Sequence, residues 1–228
     1  WLSGPGYYLG DLIIGGGYLF FNGAFAQGHT VMVALDGSFL VSATTSTGGR
    51  FSFSYEIPLN GSWVGTHAMS ANCTTPVGLL TSDVLSFWIR LIPTVMTLSM
   101  SASVMSIEES VTGTVLLRDF RGGPIASGAC TLTVDGTGID IQTGADGRTV
   151  RTWRGDQLGY GRHYFSAAYG GEVPYAPSAT STREVVVDIP TALDLRLFNY
   201  VPNAYYWAWV GTRPDAATDV SLRLFADA

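Results

Sequence analysis

The tripeptide Ile92-Pro93-Thr94 returns later in the chain as Ile189-Pro190-Thr191. Three other short motifs return with it. Leu35-Asp36-Gly37 comes back as Val134-Asp135-Gly136, Gly49-Arg50 as Gly147-Arg148, and Gly65-Thr66-His67 as Gly161-Arg162-His163. Counted from the first residue of each motif, the spacings are 97, 99, 98 and 96 residues. Four matches at one spacing define an internal repeat, and the repeat constrains the fold before any other feature. Its length is that of an immunoglobulin-type sandwich, about 100 residues. The 228 residues therefore divide into a first module, 1–92, a second, 93–189, and a partial third, 190–228.

Within each copy the apolar residues alternate. Phe51, Phe53 and Tyr55 are separated by Ser52 and Ser54, the period of two expected of a half-buried strand. His67, Met69, Ala71 and Cys73 share one face of a strand, with Thr66, Ser70 and Asn72 on the other. In the second copy His163, Phe165, Ala167 and Tyr169 fall on the equivalent inward face. Asp36-Gly37, Asp135-Gly136 and Asp146-Gly147 read as hairpin turns, because glycine tolerates positive φ. The Ile-Pro joints end strand pairing and make short, semi-rigid connections that favour a rod. No segment sustains a 3.6-residue apolar period. The fold class is all-β, as tandem immunoglobulin-like β-sandwiches.

The order of these motifs is Val/Leu-Asp-Gly, then Gly-Arg, then Gly-x-His opening an alternating strand. In that order they resemble the immunoglobulin-like modules of bacterial and archaeal surface proteins, found in adhesins, surface-layer-associated proteins and extracellular filaments. The resemblance covers both full modules and part of the third. It implies an architecture and an extracellular, cell-surface location; it brings no active-site motif with it.

The third copy stops near its midpoint. Ala192, Leu193 and Leu195 echo Val95, Met96 and Leu98, and Val220–Leu224 echoes the run from Cys130 to Val134. Half a sandwich exposes strand edges and an open core, so it must be completed by residues beyond Ala228 or by a strand from another chain. A head-to-tail contact of the second kind propagates as a filament. The expected subunit contacts are Tyr7, Tyr8, Leu12 and Ile14 near one end. At the other they are Leu193, Leu195, Leu197, Trp207, Trp209, Leu222 and Leu224. The chain opens at Trp1 without an initiator Met, consistent with a removed leader or a piece of something longer.

Composition agrees with an extracellular role. Charged residues are 13% of the chain, against about 25% in ordinary domains. So sparse a charge suits a surface packed against neighbours or covered by glycans. The net charge is −6, all twelve basic residues are arginine, and no basic run exists, so nucleic acid is not an expected partner. The absence of lysine excludes Schiff-base chemistry and Lys–Asn isopeptide crosslinks. No apolar stretch is long enough to span a membrane.

The remaining constellations read as structural. His67 and His163 are repeat-equivalent and lie about one module apart, too far to share a metal, and His29 sits in a short turn without a nucleophile motif. No catalytic residue, cofactor site or metal site is expected. Cys73 and Cys130 fall in different modules on non-equivalent strands. That rules out a disulfide across each sandwich and leaves buried thiols or a bridge to another chain. Asn60-Gly61-Ser62 and Asn72-Cys73-Thr74 are N-glycosylation sequons, the first in a turn, the second with Asn72 on the solvent face. The aromatic cluster Tyr205, Tyr206, Trp207 and Trp209 reads as core of the third module rather than a sugar platform.

The sequence thus points to a non-enzymatic structural subunit of a cell-surface filament or surface layer. Its partners would be other copies of itself or adjoining immunoglobulin-like modules, with N-linked glycans attached. The alternatives are a surface adhesin or carbohydrate-binding protein, whose exposed aromatics should cluster at one loop end, and an accessory domain of a secreted enzyme.

Overall fold

The structure is a computed structural model in which residues 1–188 are described. Ten strands form from the first repeat: β1 (Gly6–Tyr8), β2 (Leu12–Tyr18), β3 (Phe20–Phe21), β4 (Ala24–Phe25), β5 (Thr30–Leu35), β6 (Ser38–Thr44), β7 (Arg50–Glu56), β8 (Gly65–Thr75), β9 (Gly78–Thr81) and β10 (Leu85–Arg90). Nine form from the second: β11 (Thr94–Met100), β12 (Val104–Ser106), β13 (Ser110–Asp119), β14 (Ala129–Val134), β15 (Thr137–Gln142), β16 (Arg148–Arg154), β17 (Gly161–Tyr169), β18 (Ser178–Ala179) and β19 (Arg183–Asp188). Among the described residues the helical elements are a 3-10 turn at Gly61–Trp63 and the single turn α1 (Gly155–Leu158).

The second repeat is a complete sandwich. Its first sheet has the order β11-β13-β16; its second has β12-β19-β17-β14-β15, with β18 added to β17. The leading strand is shared between the sheets: β11 pairs antiparallel with β13, then β12 crosses over to run parallel to β19. This is the immunoglobulin-like arrangement. The first repeat reproduces the larger sheet as β1-β10-β8-β5-β6, with β9 on β8 and β1 parallel to β10. Among the described residues its facing sheet has two strands, β2 and β7.

The alternating residues build two separate cores. Val33, Leu35, Phe51, Met69, Phe87 and Ile89 fill the first. Val111, Val115, Leu117, Leu132, Phe165 and Val185 fill the second. Each such fully buried side chain contributes about 1.5–3 kcal/mol relative to exposure, so period-two patterning suffices to drive the fold. The strand carrying His163, Phe165, Ala167 and Tyr169 inward is buried at all four positions.

The recurring Gly-Arg motif has a steric cause. Gly49 and Gly147 both take positive φ, +69° and +72°, and a Cβ there would lie 2.5 and 2.4 Å from the carbonyl oxygens of Leu19 and Leu117. Only glycine fits. Asp146-Gly147 differs from the expected hairpin. It closes a tight turn, in which the Gly144 N–H donates to the Arg148 carbonyl at 2.8 Å, and this turn carries the chain from one sheet to the other. Asp36-Gly37 and Asp135-Gly136 do join paired strands, with positive φ at both residues of each turn.

The joint at Ile92 is a docked contact rather than a linker stiffened by proline alone. The Ile92 N–H donates to the Pro174 carbonyl at 2.9 Å, and the Ile92 carbonyl accepts from the Ala176 N–H at 2.8 Å. Tyr175 packs against both cores. Around it Tyr8 meets Phe120, ring centroids 5.0 Å apart, and Arg121 pairs with Asp11.

Candidate functional site

The candidate site is a strand edge. Hydrogen bonds align the two repeats residue by residue: the Leu19 N–H donates to the Gly49 carbonyl as the Leu117 N–H donates to that of Gly147, each at 2.8 Å. By that alignment β2 is the counterpart of β13, Gly15 of Gly113 and Gly17 of Val115. In the second sandwich β13 is paired on both sides, by β16 and by all seven residues of β11. In the first, among the described residues, β2 is strand-paired by β7 alone. Its other side carries one bridge, Leu2 to Gly15, supported by the Ser3 N–H donating to the Ile14 carbonyl at 2.8 Å. The same bond closes the end of β11, from the Ser101 N–H to the Thr112 carbonyl at 2.9 Å. Leu2 therefore stands where Met100 stands, and Trp1 where Ser99 stands.

Beyond Trp1 nothing among the described residues covers the edge. In the second sandwich the matching stretch of β11 supplies Met96 and Leu98, both buried in the core. In the first, a cleft of about 500 Å³ opens between the sheets, lined by Trp1, Gly17, Leu19, Phe51, Met69 and Cys73 among others. Its rim is apolar. Leu85, the counterpart of Arg183, is exposed, as are Tyr18, Phe20 and Phe25. Phe25 lies against Phe20 at 5.3 Å and Tyr18 at 5.9 Å between centroids. The glycine run in β2 is what lets Phe51 and Phe53 lie flat on it: a Cβ on Gly15 would fall 2.4 Å from the Phe53 ring, and one on Gly17 3.0 Å from Phe51.

The expected contact residues separate into three groups. Leu12 and Ile14 are exposed on the outer face of β2. Tyr7 is engaged within the core, which corrects its assignment as a subunit contact, and Tyr8 is half-buried. Tyr7 is core, its ring edge-on to Phe87 and its hydroxyl accepting the Gly4 N–H at 3.1 Å. Tyr8 is held in the joint by Phe120. Leu193, Leu195, Leu197, Trp207, Trp209, Leu222 and Leu224, with Tyr205 and Tyr206, lie outside the described residues.

Asn60 is exposed and its Oδ1 accepts the Ser62 N–H at 3.1 Å, capping the 3-10 turn. Asn72 is different. It sits mid-strand in β8, paired to Met32 and Thr81, and its Oδ1 is buried without a hydrogen-bond partner. The residue as a whole is half-buried. Cys73 and Cys130 are buried free thiols in separate cores, and burial pushes both thiols up.

The paired histidines have a partner that turn chemistry alone did not reveal. His67 Nδ1 lies 2.7 Å from Asp36 Oδ2, and its Nε2 2.9 Å from the Trp63 carbonyl. In the second sandwich His163 Nδ1 lies 2.7 Å from Asp135 Oδ2 and Nε2 3.0 Å from the Gly159 carbonyl. The other carboxylate oxygen accepts a backbone N–H from β8 or β17, Ala68 or Tyr164, each at 2.8 Å. Asp36 is held below the usual carboxylate range by the Ala68 N–H and then by His67. At Asp135 burial acts in the opposite direction, and the His163 and Tyr164 hydrogen bonds outweigh it. Each latch ties a hairpin turn to the neighbouring strand. The recurrence of Asp-Gly with Gly-x-His in one order was the available signal. Among the described residues, no group of three or more His, Cys, Asp or Glu side chains could hold a metal ion, and no helix is long and apolar enough to cross a membrane.

No family model matches the sequence. No curated protein matches it either. Solved structures do. The D0–D1 domain of intimin is 14% identical, with a TM-score of 0.32, covering 82% of this chain and 96% of that one. A 1.5-MDa bacterial ice-binding adhesin is 17% identical, with a TM-score of 0.39 and coverage of 84% and 63%. Invasin, a bacterial integrin-binding protein, is 14% identical, with a TM-score of 0.42 and coverage of 85% and 39%. The chain thus spans less than two thirds of the adhesin and invasin structures.

Proposed function

We propose that this chain is an extracellular structural protein, a non-enzymatic subunit of a cell-surface filament or surface layer whose copies meet through β-strand contacts. Its modules, 1–92 and 93–189 with a partial third at 190–228, supply length, and the docked joint at Ile92 supplies stiffness. The observation that supports this reading is the joint at Ile92, where backbone hydrogen bonds to Pro174 and Ala176 and the contacts of Tyr175 with both cores hold one sandwich on the next. N-linked glycans on Asn60 and Asn72 belong to the same reading, Asn60 being the accessible acceptor. Sedimentation of the purified 228-residue chain over a range of concentrations tests it. Growth into long, mass-heterogeneous assemblies is expected; a single monomeric species throughout would remove the proposal.

A second reading, a surface adhesin or carbohydrate-binding protein, is favoured by the exposed cluster of Tyr18, Phe20 and Phe25 at one hairpin. Aromatic faces of this kind serve both sugar and protein contacts. Binding of a glycan panel that is lost in Phe25→Ala, with assembly unchanged, would favour it over the structural reading.

A further inference from the structure

The two sandwiches differ at an edge that both of them complete. β6 and β15 form the same edge of the larger sheet in the first and second repeats, each strand-paired among the described residues by one neighbour, β5 or β14. Both lie inside the chain, with described residues on either side. Leu35-Asp36-Gly37 matches Val134-Asp135-Gly136, so Met32 matches Thr131. The residues paired with these two, Ser42 and Asp140, then match in turn. The edge of β15 thus carries an aspartate. β6 reads Ser-Phe-Leu-Val-Ser-Ala-Thr, with no charge and no proline.

The backbone of β6 presents free groups on its open side. The Thr45 N–H donates to the His29 carbonyl at 2.9 Å. Bonded and non-bonded positions alternate along an antiparallel pair, so Ala43 turns its N–H and C=O to β5, while Ser42 and Thr44 turn theirs outward. Ser42 and Thr44 are exposed, and Leu40, Val41 and Ala43 are only half-buried against the first core. A register shift between Val33 and Ala34 leaves Leu40 as an extra residue, so the regular stretch is Val41–Thr44. An edge of this kind is a template for another strand, and proteins that do not use one normally blunt it with charge or proline. Residues 1–92 carry six charged side chains and residues 93–188 carry seventeen, so the first sandwich opposes a like surface with little repulsion.

We infer that β6 pairs with β6 of a second copy of this chain, antiparallel, about a two-fold axis beside Ser42 and Ala43. This rests on the structural reading above and names one of its strand contacts between copies. The outward N–H and C=O groups of Ser42 and Thr44 in each copy find partners in the other, which joins two larger sheets into one. The same step covers the half-buried Leu40, Val41 and Ala43. A two-fold contact is self-complementary, so one uncharged edge meeting itself is sufficient. Pairing of β15 with itself would set the Asp140 carboxylates of two copies against each other, and like charges opposed across strands are destabilising. Asp140 therefore confines the pairing to the first sandwich. Because the contact closes on itself, the paired chain is the unit that any longer assembly is built from.

The test is sedimentation equilibrium of the full 228-residue chain and of its Ser42→Asp variant. The substitution gives β6 the charge that β15 already carries at the matching position, so circular dichroism is expected to be unchanged. The wild-type chain is expected to pair, and Ser42→Asp to pair about tenfold more weakly. A Ser42→Cys variant treated with a short bifunctional thiol reagent is expected to give dimers linked through that position in both copies, the native cysteines being buried. Wild-type assembly that Ser42→Asp leaves unchanged, or an introduced thiol that never links to its own counterpart, overturns β6 as the contact and leaves the structural reading standing. A wild-type chain that stays monomeric at every concentration overturns both.

Discussion

His163 reaches across the sandwich edge to Asp135, its Nδ1 2.7 Å from the carboxylate, while its Nε2 faces the Gly159 carbonyl. The His163 side chain is 10% exposed, so this contact sits at the boundary of the second core rather than in bulk water. Replacing His163 with alanine removes the ring that faces the Asp135 carboxylate and the Gly159 carbonyl. Buried hydrogen bonds of this kind cost about 1–3 kcal/mol when one side is removed. His163→Ala is expected to lower stability in urea unfolding by that amount, and His67→Ala to do the same through the first sandwich.

The carboxylate half of each latch gives a pH dependence with a definite sign. Asp36 and Asp135 are both held below their ordinary value of 3.8. A depressed folded value means that the unfolded chain binds protons first, so the stabilisation is complete above about pH 4 and is lost as pH falls through the lower folded values. The thermal midpoint should therefore drop between pH 5 and pH 2. A double Asp36→Asn/Asp135→Asn variant should start lower and fall less steeply.

Gly147 cannot be replaced without moving the backbone, because a Cβ would meet the Leu117 carbonyl at 2.4 Å and the residue already has φ +72°. Strain at positive φ and overpacking together amount to about 2–4 kcal/mol. Gly147→Ala should destabilise the second sandwich by roughly that much in denaturant titration, whereas Gly136→Ala, which has the same sign of φ but open space, should cost less.

The two thiols give a probe of core integrity. Cys73 and Cys130 are 2% and 4% exposed, and burial raises both thiols, which disfavours the reactive thiolate. A thiol reagent should modify neither cysteine in the native chain over the time it modifies both in urea. Rapid labelling of Cys73 alone would indicate that solvent enters the cleft beside β2.

What was legible in the sequence follows from which physics is local. Alternation is a property of consecutive residues, so β7 and β17 could be read from Phe51-Ser52-Phe53 and from His163 to Tyr169. The repeat spacing carried the sandwich architecture. What escaped depended on contacts between distant residues. The Asp135–His163 pair is separated by 28 residues, and each motif alone has a sufficient local explanation, one as a turn and the other as a strand opening. Tyr7 reads as surface in a glycine-rich stretch until β1 pairs with β10 and draws it into the core. Asn72 alternates onto the outward face, yet its Oδ1 is buried. The open edge of β2 was hidden for a different reason. It is visible only when the two copies are aligned bond by bond, which puts Leu2 opposite Gly15 in the place of Met100, with no strand beside Gly17 and Leu19 on that side among the described residues.

The most direct test of the central claim, that copies of this chain join through β-strand contacts, is cryo-electron microscopy of the native surface material, read at the contacts between copies. Strands of one copy hydrogen-bonded to strands of the next are the predicted result. Copies that meet through side chains alone, with no strand pairing between them, would contradict it.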